Sequence, residues 1–264
     1  MSALSMIDIH THILPGFDDG PATIEEALEM AAVAARDGVR CLVATPHDPY
    51  YGHAVDCRQV ELAVDDLRGA LVSAGVEVDV LPGLEMSLTT DIAHRARQGQ
   101  VLAINRARYL LVELPFQLYP PHTDQCLFEL QLQGYVPIIA HPERNAAIQR
   151  DVNLLEPLVT RGILAQVTAD SLMGSFGPKT RETAEAMLTC YLAHVIASDA
   201  HSPTARPPVL SDALRRAAEL VGPERANEMV CTIPQAIIAG ERFEVPSPVR
   251  HRARNRWLSW RITR

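Results

Sequence analysis

Tyr109-Leu110-Leu111-Val112-Glu113 runs four apolar residues without alternation and closes on a carboxylate. A strand that reads this way is buried on both faces, which is the mark of a parallel sheet covered by helices. The same grammar repeats outward from it. Met6 to His10 is a short apolar strand. A capping-box pattern follows at Thr23 and Glu26, and Ile24, Leu28, Ala31 and Ala35 then recur at helical spacing. Gly38 ends that helix, and Val39 to Ala44 is the next strand. Val55 to Ser73 reads as a helix closed by Gly75, with a strand from Val76 to Leu81. Downstream, helices over Asp124–Gln133, Val152–Thr160 and Thr180–Cys190 alternate with strands over Val136–Ala140, Ile163–Val167 and Val195–Ala197. Helical signals from Leu210 to Ala239 finish the pattern. Pro137 cannot donate to a ladder, so it is expected at the first residue of its strand or at a bulge. Repeated βα units imply parallel strands joined by right-handed crossovers. About seven such units fit a closed or distorted barrel better than an open sheet.

A chain of 264 residues is within the range of a single α/β barrel domain. Hydrophobic residues at 47% supply a large core, and aromatics at 5% mean that it is built mostly from Leu, Val, Ile and Ala. A formal charge of −8 argues against nucleic-acid binding, which needs a basic footprint. The charge is uneven, since Arg250, Arg252, Arg254, Arg256, Arg261 and Arg264 all fall in the last fifteen positions. Pro246-Ser247-Pro248 marks the boundary, giving a barrel over 1–245 and a basic tail over 246–264 that also carries Trp257 and Trp260. Such a tail reads either as a solvated extension or as a weak contact with an anionic membrane surface or an acidic partner. Five widely spaced cysteines without a CxxC pair fit reduced thiols in the cytoplasm. The start lacks a signal-peptide pattern, and no apolar run approaches the ~18 residues of a membrane span. A cytoplasmic protein, at most at the inner face of the membrane, is expected.

Metal-preferring side chains close these apolar segments. His10 and His12 are two apart and share a strand face. Asp18-Asp19-Gly20 follows, and then His47 after Thr45-Pro46, Glu85 after Gly83-Leu84, Glu113, His141, and Asp199 with His201. The carboxyl ends of parallel strands are where barrel enzymes gather catalytic groups. Carboxylates in such interior positions are costly unless paired or bound to metal. Mixed oxygen and nitrogen donors suit Mn, Fe or Zn rather than Ca, and no Cys stands among them. Clustered divalent ions can deprotonate a water and polarise a phosphoryl group, so attack by a metal-bound hydroxide on a phosphomonoester is the chemistry expected. Arg144 and Arg206 are placed to clamp phosphate oxygens. Other nucleophilic arrangements are missing: there is no Cys-x5-Arg, no G-x-S-x-G and no G-x-x-x-x-G-K-[ST]. Gly174-Ser175-Phe176-Gly177 reads as a loop, one that could lie over the site, and His53, His94, His122, His194 and His251 are assigned to surfaces or packing.

These stretches resemble a known group. Asp8-Ile9-His10-Thr11-His12-Ile13-Leu14-Pro15-Gly16-Phe17-Asp18-Asp19-Gly20, Ala44-Thr45-Pro46-His47, Gly83-Leu84-Glu85, Ile139-Ala140-His141-Pro142-Glu143-Arg144 and Ala197-Ser198-Asp199-Ala200-His201 look like the polymerase-and-histidinol-phosphatase superfamily. Within it they are similar to the bacterial manganese-dependent tyrosine-protein phosphatases of capsular and exopolysaccharide synthesis. The resemblance spans Ile7 to about Gly240 and implies a distorted (β/α)7 TIM-like barrel with a three-metal site. It implies that His10, His12, Glu85 and Asp199 hold one metal, that Glu85, Glu113 and His141 hold a second, and that Asp19, His47 and His201 hold the third. Manganese is the implied ion, with Fe, Zn or Co accepted by the same donors. Arg144 and Arg206 match the phosphate-contacting arginines. The implied substrate is phosphotyrosine on the tail of a cognate membrane-associated tyrosine kinase. Thr168 and Asn145 depart from the common pattern of Asn and Tyr at those places, which bears on substrate fit or subgroup. A small-molecule phosphatase, such as a histidinol-phosphatase, and a non-catalytic regulatory barrel are the alternatives.

Overall fold

The computed structural model describes residues 5–48 and 56–252. Among them, helices alternate with strands in the order β1 (Met6–Thr11), α1 (Ile24–Asp37), β2 (Val39–Ala44), α2 (Cys57–Ala74), β3 (Asp79–Pro82), β4 (Glu85–Ser87), α3 (Ile92–Arg97) and β5 (Tyr109–Glu113). The series continues with α4 (Thr123–Leu132), β6 (Val136–Ala140), α5 (Ala146–Arg150), α6 (Glu156–Thr160), β7 (Leu164–Thr168), α7 (Ala169–Met173), α8 (Pro178–Thr189) and β8 (Val195–Ala197). It ends with α9 (Ser211–Val221), α10 (Pro223–Asn227), a π-helical turn at Glu228–Thr232 and α11 (Ile233–Ala239).

All ladders are parallel, in the orders β1-β2-β3 and β4-β5-β6-β7-β8. Gly83 and Leu84 separate β3 from β4, so these are two halves of one stave, the first paired with β2 and the second with β5. A built Cβ on Gly83 would lie 3.2 Å from both Thr45 Cγ2 and Val43 Cγ1, so glycine lets the chain step across close to its neighbour. Bridges between His47 and Glu85 and between Thr11 and Ala200 close the ring. The result is a seven-stave α/β barrel in one domain, as the repeated βα units imply, with its distortion at the β3/β4 step and at the sparse β8–β1 seam.

Side-chain parity fixes what is inside. Cys41, Val43, Tyr109, Leu111, Ile138, Ala140, Val195 and Ala197 form one buried cluster with Ile7 and Ile9, and Ile104 and Ile237 join it. The alternate residues Leu42, Leu110, Val112, Ile139 and Ile196 pack instead with helix residues such as Val64, Leu67 and Leu127. Glu113 has the parity of Tyr109 and Leu111, so it faces the barrel interior above this apolar plug.

Some local expectations change. Pro137 is the second residue of β6, not its first, and it sits in the ladder opposite Leu110. It is tolerated because the β6–β7 ladder begins one residue later, at Ile138 opposite Leu164. The helix expected over Val152–Thr160 is a 3-10 turn (Val152–Leu155) leading into α6. The final helical stretch is broken at Gly222 (φ 86°) and again by the π turn. In the capping box of α1, Thr23 accepts from Glu26 N, but Glu26 reaches back to Ala22 N rather than to Thr23. The tail beginning at residue 246 is packed at first: Val249 N donates to Cys190 O, and Asn153 exchanges hydrogen bonds with the His251 backbone. Residues 253–264, with Arg254, Arg256, Trp257, Trp260, Arg261 and Arg264, lie outside the described residues, as does His53.

Candidate metal centre

The donors enter the barrel mouth from six staves. In β1, Asp8 pairs with Leu42 and Thr11 with Ala44, so three steps along β1 match two along β2. That extra residue is a bulge, a device that re-aims side chains at barrel rims. It turns His10 and His12 toward the same pocket, with their Nε2 atoms 3.3 Å apart. His141 and Asp199 each follow a strand and adopt left-handed backbone, at φ 30° and 54°. Non-glycine residues held there store local strain and are concentrated at functional sites.

All nine predicted donors come together. His12, Asp19, His47 and His201 form one group, His10, His12 and Glu85 a second, His10, His141 and Asp199 a third, and His47, Glu85 and Glu113 a fourth. Within each group the donor atoms lie within 4.8 Å of one another. Glu85 is the hub. Its Oε2 lies 3.4 Å from His10 Nε2, 3.4 Å from His12 Nε2 and 3.1 Å from His47 Nδ1, while its Oε1 is 2.9 Å from His141 Nε2. Asp199 Oδ1 is also 3.4 Å from the Nε2 atoms of both His10 and His12. Asp19 reaches in from the rim, 3.3 Å from His201 Nε2 and 3.7 Å from His47 Nε2.

The surrounding hydrogen bonds decide what this cluster can accept. His10 Nδ1 is 3.0 Å from Gln166 Oε1, and His12 Nδ1 is 2.6 Å from Asp18 Oδ2. Both partners are acceptors, so both imidazoles carry a proton on Nδ1 and turn an Nε2 lone pair inward. Asp18 is itself held by His47 N and Gly20 N. Two lone pairs therefore face each other and two carboxylate oxygens in a buried space, and Glu85 Oε2 has no well-formed hydrogen bond. Such a convergence is repulsive unless cations or extra protons fill it. The titration tendencies agree. With protons in place of cations, burial would push Glu85 upward, yet the charge of a protonated His10 and hydrogen bonds from His10, His12 and His141 hold it well below the usual carboxylate range. Burial would push His12 down, yet hydrogen bonds to Asp18, Asp199 and Glu85 hold it well above the usual imidazole range. An orphaned buried oxygen among nitrogen and oxygen donors fits divalent transition metals.

Both predicted arginines meet the cluster through one atom. Arg144 Nη1 lies 2.8 Å and Arg206 Nη2 2.6 Å from Asp199 Oδ2. Arg206 also donates to Asp199 O, and the 201–206 loop closes on itself through His201 N to Arg206 O. A cavity of about 110 Å³ is lined by seven of these donors, all but the fully buried His10 and His12, together with both arginines and Phe116. Phe176, from the Gly174–Gly177 loop, stacks over Arg144 at 4.6 Å and lies 5.8 Å from Arg206, so that loop does border the site. None of the five cysteines lines the cavity, and Cys41, Cys126 and Cys190 are buried. Sequence reasoning missed Gln166, Phe116 and the supporting role of Asp18. Asp18 was visible beside Asp19, whereas Gln166 and Phe116 stand in no motif. The departures have local roles: Asn145 caps α5, and Thr168 N donates to the buried Glu143 carboxylate.

The family model for capsular polysaccharide synthesis, CpsB/CapC, matches residues 6–239. The chain belongs to the CpsB/CapC family. CapC of Staphylococcus aureus is 36% identical over 253 residues, covering 96% of this chain and 99% of that protein. The tyrosine-protein phosphatase YwqE of Bacillus subtilis is 39% identical over 197 residues, covering 75% and 78%. A solved structure from the pair YwqE of B. subtilis and CpsB of Streptococcus pneumoniae, described as unique metal-dependent tyrosine phosphatases, superposes with a TM-score of 0.90 at 33% identity, over 94% of this chain and 100% of the other. A Listeria monocytogenes lactonase, at 10% identity and a TM-score of 0.58, shares the fold alone.

Proposed function

We propose that this chain is a metal-dependent tyrosine-protein phosphatase of capsular or exopolysaccharide synthesis, and that His10, His12, Asp19, His47, Glu85, Glu113, His141, Asp199 and His201 hold up to three divalent ions, manganese first among them. The observation that carries the reading is the meeting of two inward Nε2 lone pairs with Glu85 Oε2 and Asp199 Oδ1, with two arginines on the other oxygen of Asp199. Bound ions would lower the pKa of a water to supply the nucleophile and would neutralise charge on the phosphoryl group. The protein supplies the rest. Arg144 and Arg206 offer planar donor forks to the non-bridging phosphate oxygens. Gln166 and Asp18 hold His10 and His12 in the tautomer that leaves Nε2 free.

The named activities of YwqE and CpsB support phosphotyrosine as the substrate. The tail of a cognate membrane-associated tyrosine kinase is the partner this implies. Among the described residues no helix is long and apolar enough to cross a membrane. The test is metal analysis joined to a panel of phosphotyrosine peptide, phosphoserine peptide and histidinol phosphate. The phosphotyrosine peptide should be preferred, chelation should abolish turnover, and manganese should restore it. Full turnover after stripping the metals, or a preference for histidinol phosphate, would sink the reading. His141→Ala and Asp199→Ala should each lower turnover by orders of magnitude without unfolding the barrel.

A further inference from the structure

We infer that Phe116 is a specificity-determining residue through which this pocket prefers an aryl phosphate to an alkyl one, an inference that rests on the phosphatase reading above. Phe116 belongs to the loop after β5, lines the donor cavity beside both arginines, and is 38% exposed. A single exposed apolar side chain is ordinary on a protein surface, but this ring lines a cavity otherwise built of carboxylates, imidazoles and guanidiniums. Its position is nonetheless firmly set. Its backbone O accepts from Ala146 N at 2.7 Å, and the buried Asn145 amide donates to Pro115 O and Leu118 O on either side of it. The ring stacks on His141 with centroids 5.7 Å apart and an interplanar angle of 27°, and the Arg144 guanidinium carbon lies 4.6 Å from its centroid.

The contacts of Arg144 give this ring its meaning. The guanidinium lies 4.6 Å from Phe116 and 4.6 Å from Phe176, while Nη1 points at Asp199. A phosphoryl group gripped there must lead its ester substituent out past the cavity rim, where Phe116 stands. His141 and Arg144 both pack against the ring, and the part of it they leave uncovered stays open to a ligand. Ring edges are the positive part of the quadrupole and favour the face of a second aromatic ring at centroid separations of ~4.5–7 Å. A phosphotyrosine carries its ring one oxygen away from phosphorus and can make this edge-to-face contact, whereas a phosphoserine has no ring to offer. Phe176, reaching the cavity only through the arginines, acts as a positioning residue for Arg144.

The test compares phenylphosphonate and methylphosphonate as ligands of the manganese-loaded protein by calorimetry, alongside kcat/KM for a phosphotyrosine peptide. Phe116→Leu keeps apolar bulk without the ring quadrupole, and Phe116→Tyr keeps the ring. The phenyl-over-methyl preference should fall about three- to tenfold in F116L, with a parallel loss in kcat/KM, and should be largely kept in F116Y. The inference is overturned if wild type binds the two phosphonates equally. It is also overturned if F116L weakens both in the same proportion, since Phe116 would then only support Arg144. A wild-type protein that prefers phenylphosphonate but hydrolyses no phosphopeptide would defeat the phosphatase reading while leaving the assignment of Phe116 supported.

Discussion

At the scale of single residues, the site depends on what holds each donor as much as on the donor. Gln166, fully buried in β7, accepts from His10 Nδ1 and also from His141 N. Replacing it with leucine removes the acceptor that fixes the His10 tautomer. Gln166→Leu should weaken manganese binding about 10- to 100-fold, the range for partners of metal-ligating histidines, while kcat recovers at saturating metal. Competition with a chromophoric chelator measures this, and unchanged affinity would remove Gln166 from the support of His10. The nine candidate donors were legible in the sequence because most follow an apolar segment and several are spaced for one strand face. Gln166 was not, because its inward direction follows from a register that pairs it with Val195 and Ala140 and that no local pattern reveals. Phe116 was hidden for a different reason: an isolated aromatic after a strand gives no signal until its neighbours in space are known.

At the scale of elements, the alternation of strands and helices was readable because buried parallel strands are short unbroken apolar runs between amphipathic helices. Boundaries moved where tertiary context overrode the local signal, as with Pro137, the 3-10 turn before α6, and the π turn before α11. One connection between elements was invisible. Leu210, before α9, provides no side-chain cap, and Asp37 at the end of α1 supplies it instead. Its carboxylate accepts from Leu210 N, Ser211 N and Ser211 Oγ. It thus satisfies orphan donors at a helix start and places negative charge at the positive end of the helix dipole. Asp37→Ala should cost on the order of 1–2 kcal/mol, read as a lower urea midpoint with little change in slope, and Asp37→Asn should cost less. An alanine variant as stable as wild type would show that α9 needs no such tie.

At the scale of the molecule, cations bound among these donors would join β1, β2, β4, β5, β6 and β8. Anything that binds the native state alone stabilises it by mass action. Manganese at a hundred times its dissociation constant should add about 2.7 kcal/mol for one site, raising the melting temperature by several degrees, and a chelator should reverse the gain. Scanning calorimetry with and without chelator decides the matter, and identical transitions would mean that the ions do not bind across the staves. Barrel closure itself was the part of the architecture that segment-by-segment reading reached only by counting units. The seam is held by the Thr11–Ala200 bridge, by Asp199 N to His10 O and His12 N to Ala200 O, and by Ser198 N to the buried Asp8 carboxylate. Those few bonds join the first stave to the last among the residues that carry donors. A nascent chain still on the ribosome has His10 and His12 in hand long before Asp199 and His201 are made. The donor pocket therefore cannot be completed until the closing stave has emerged.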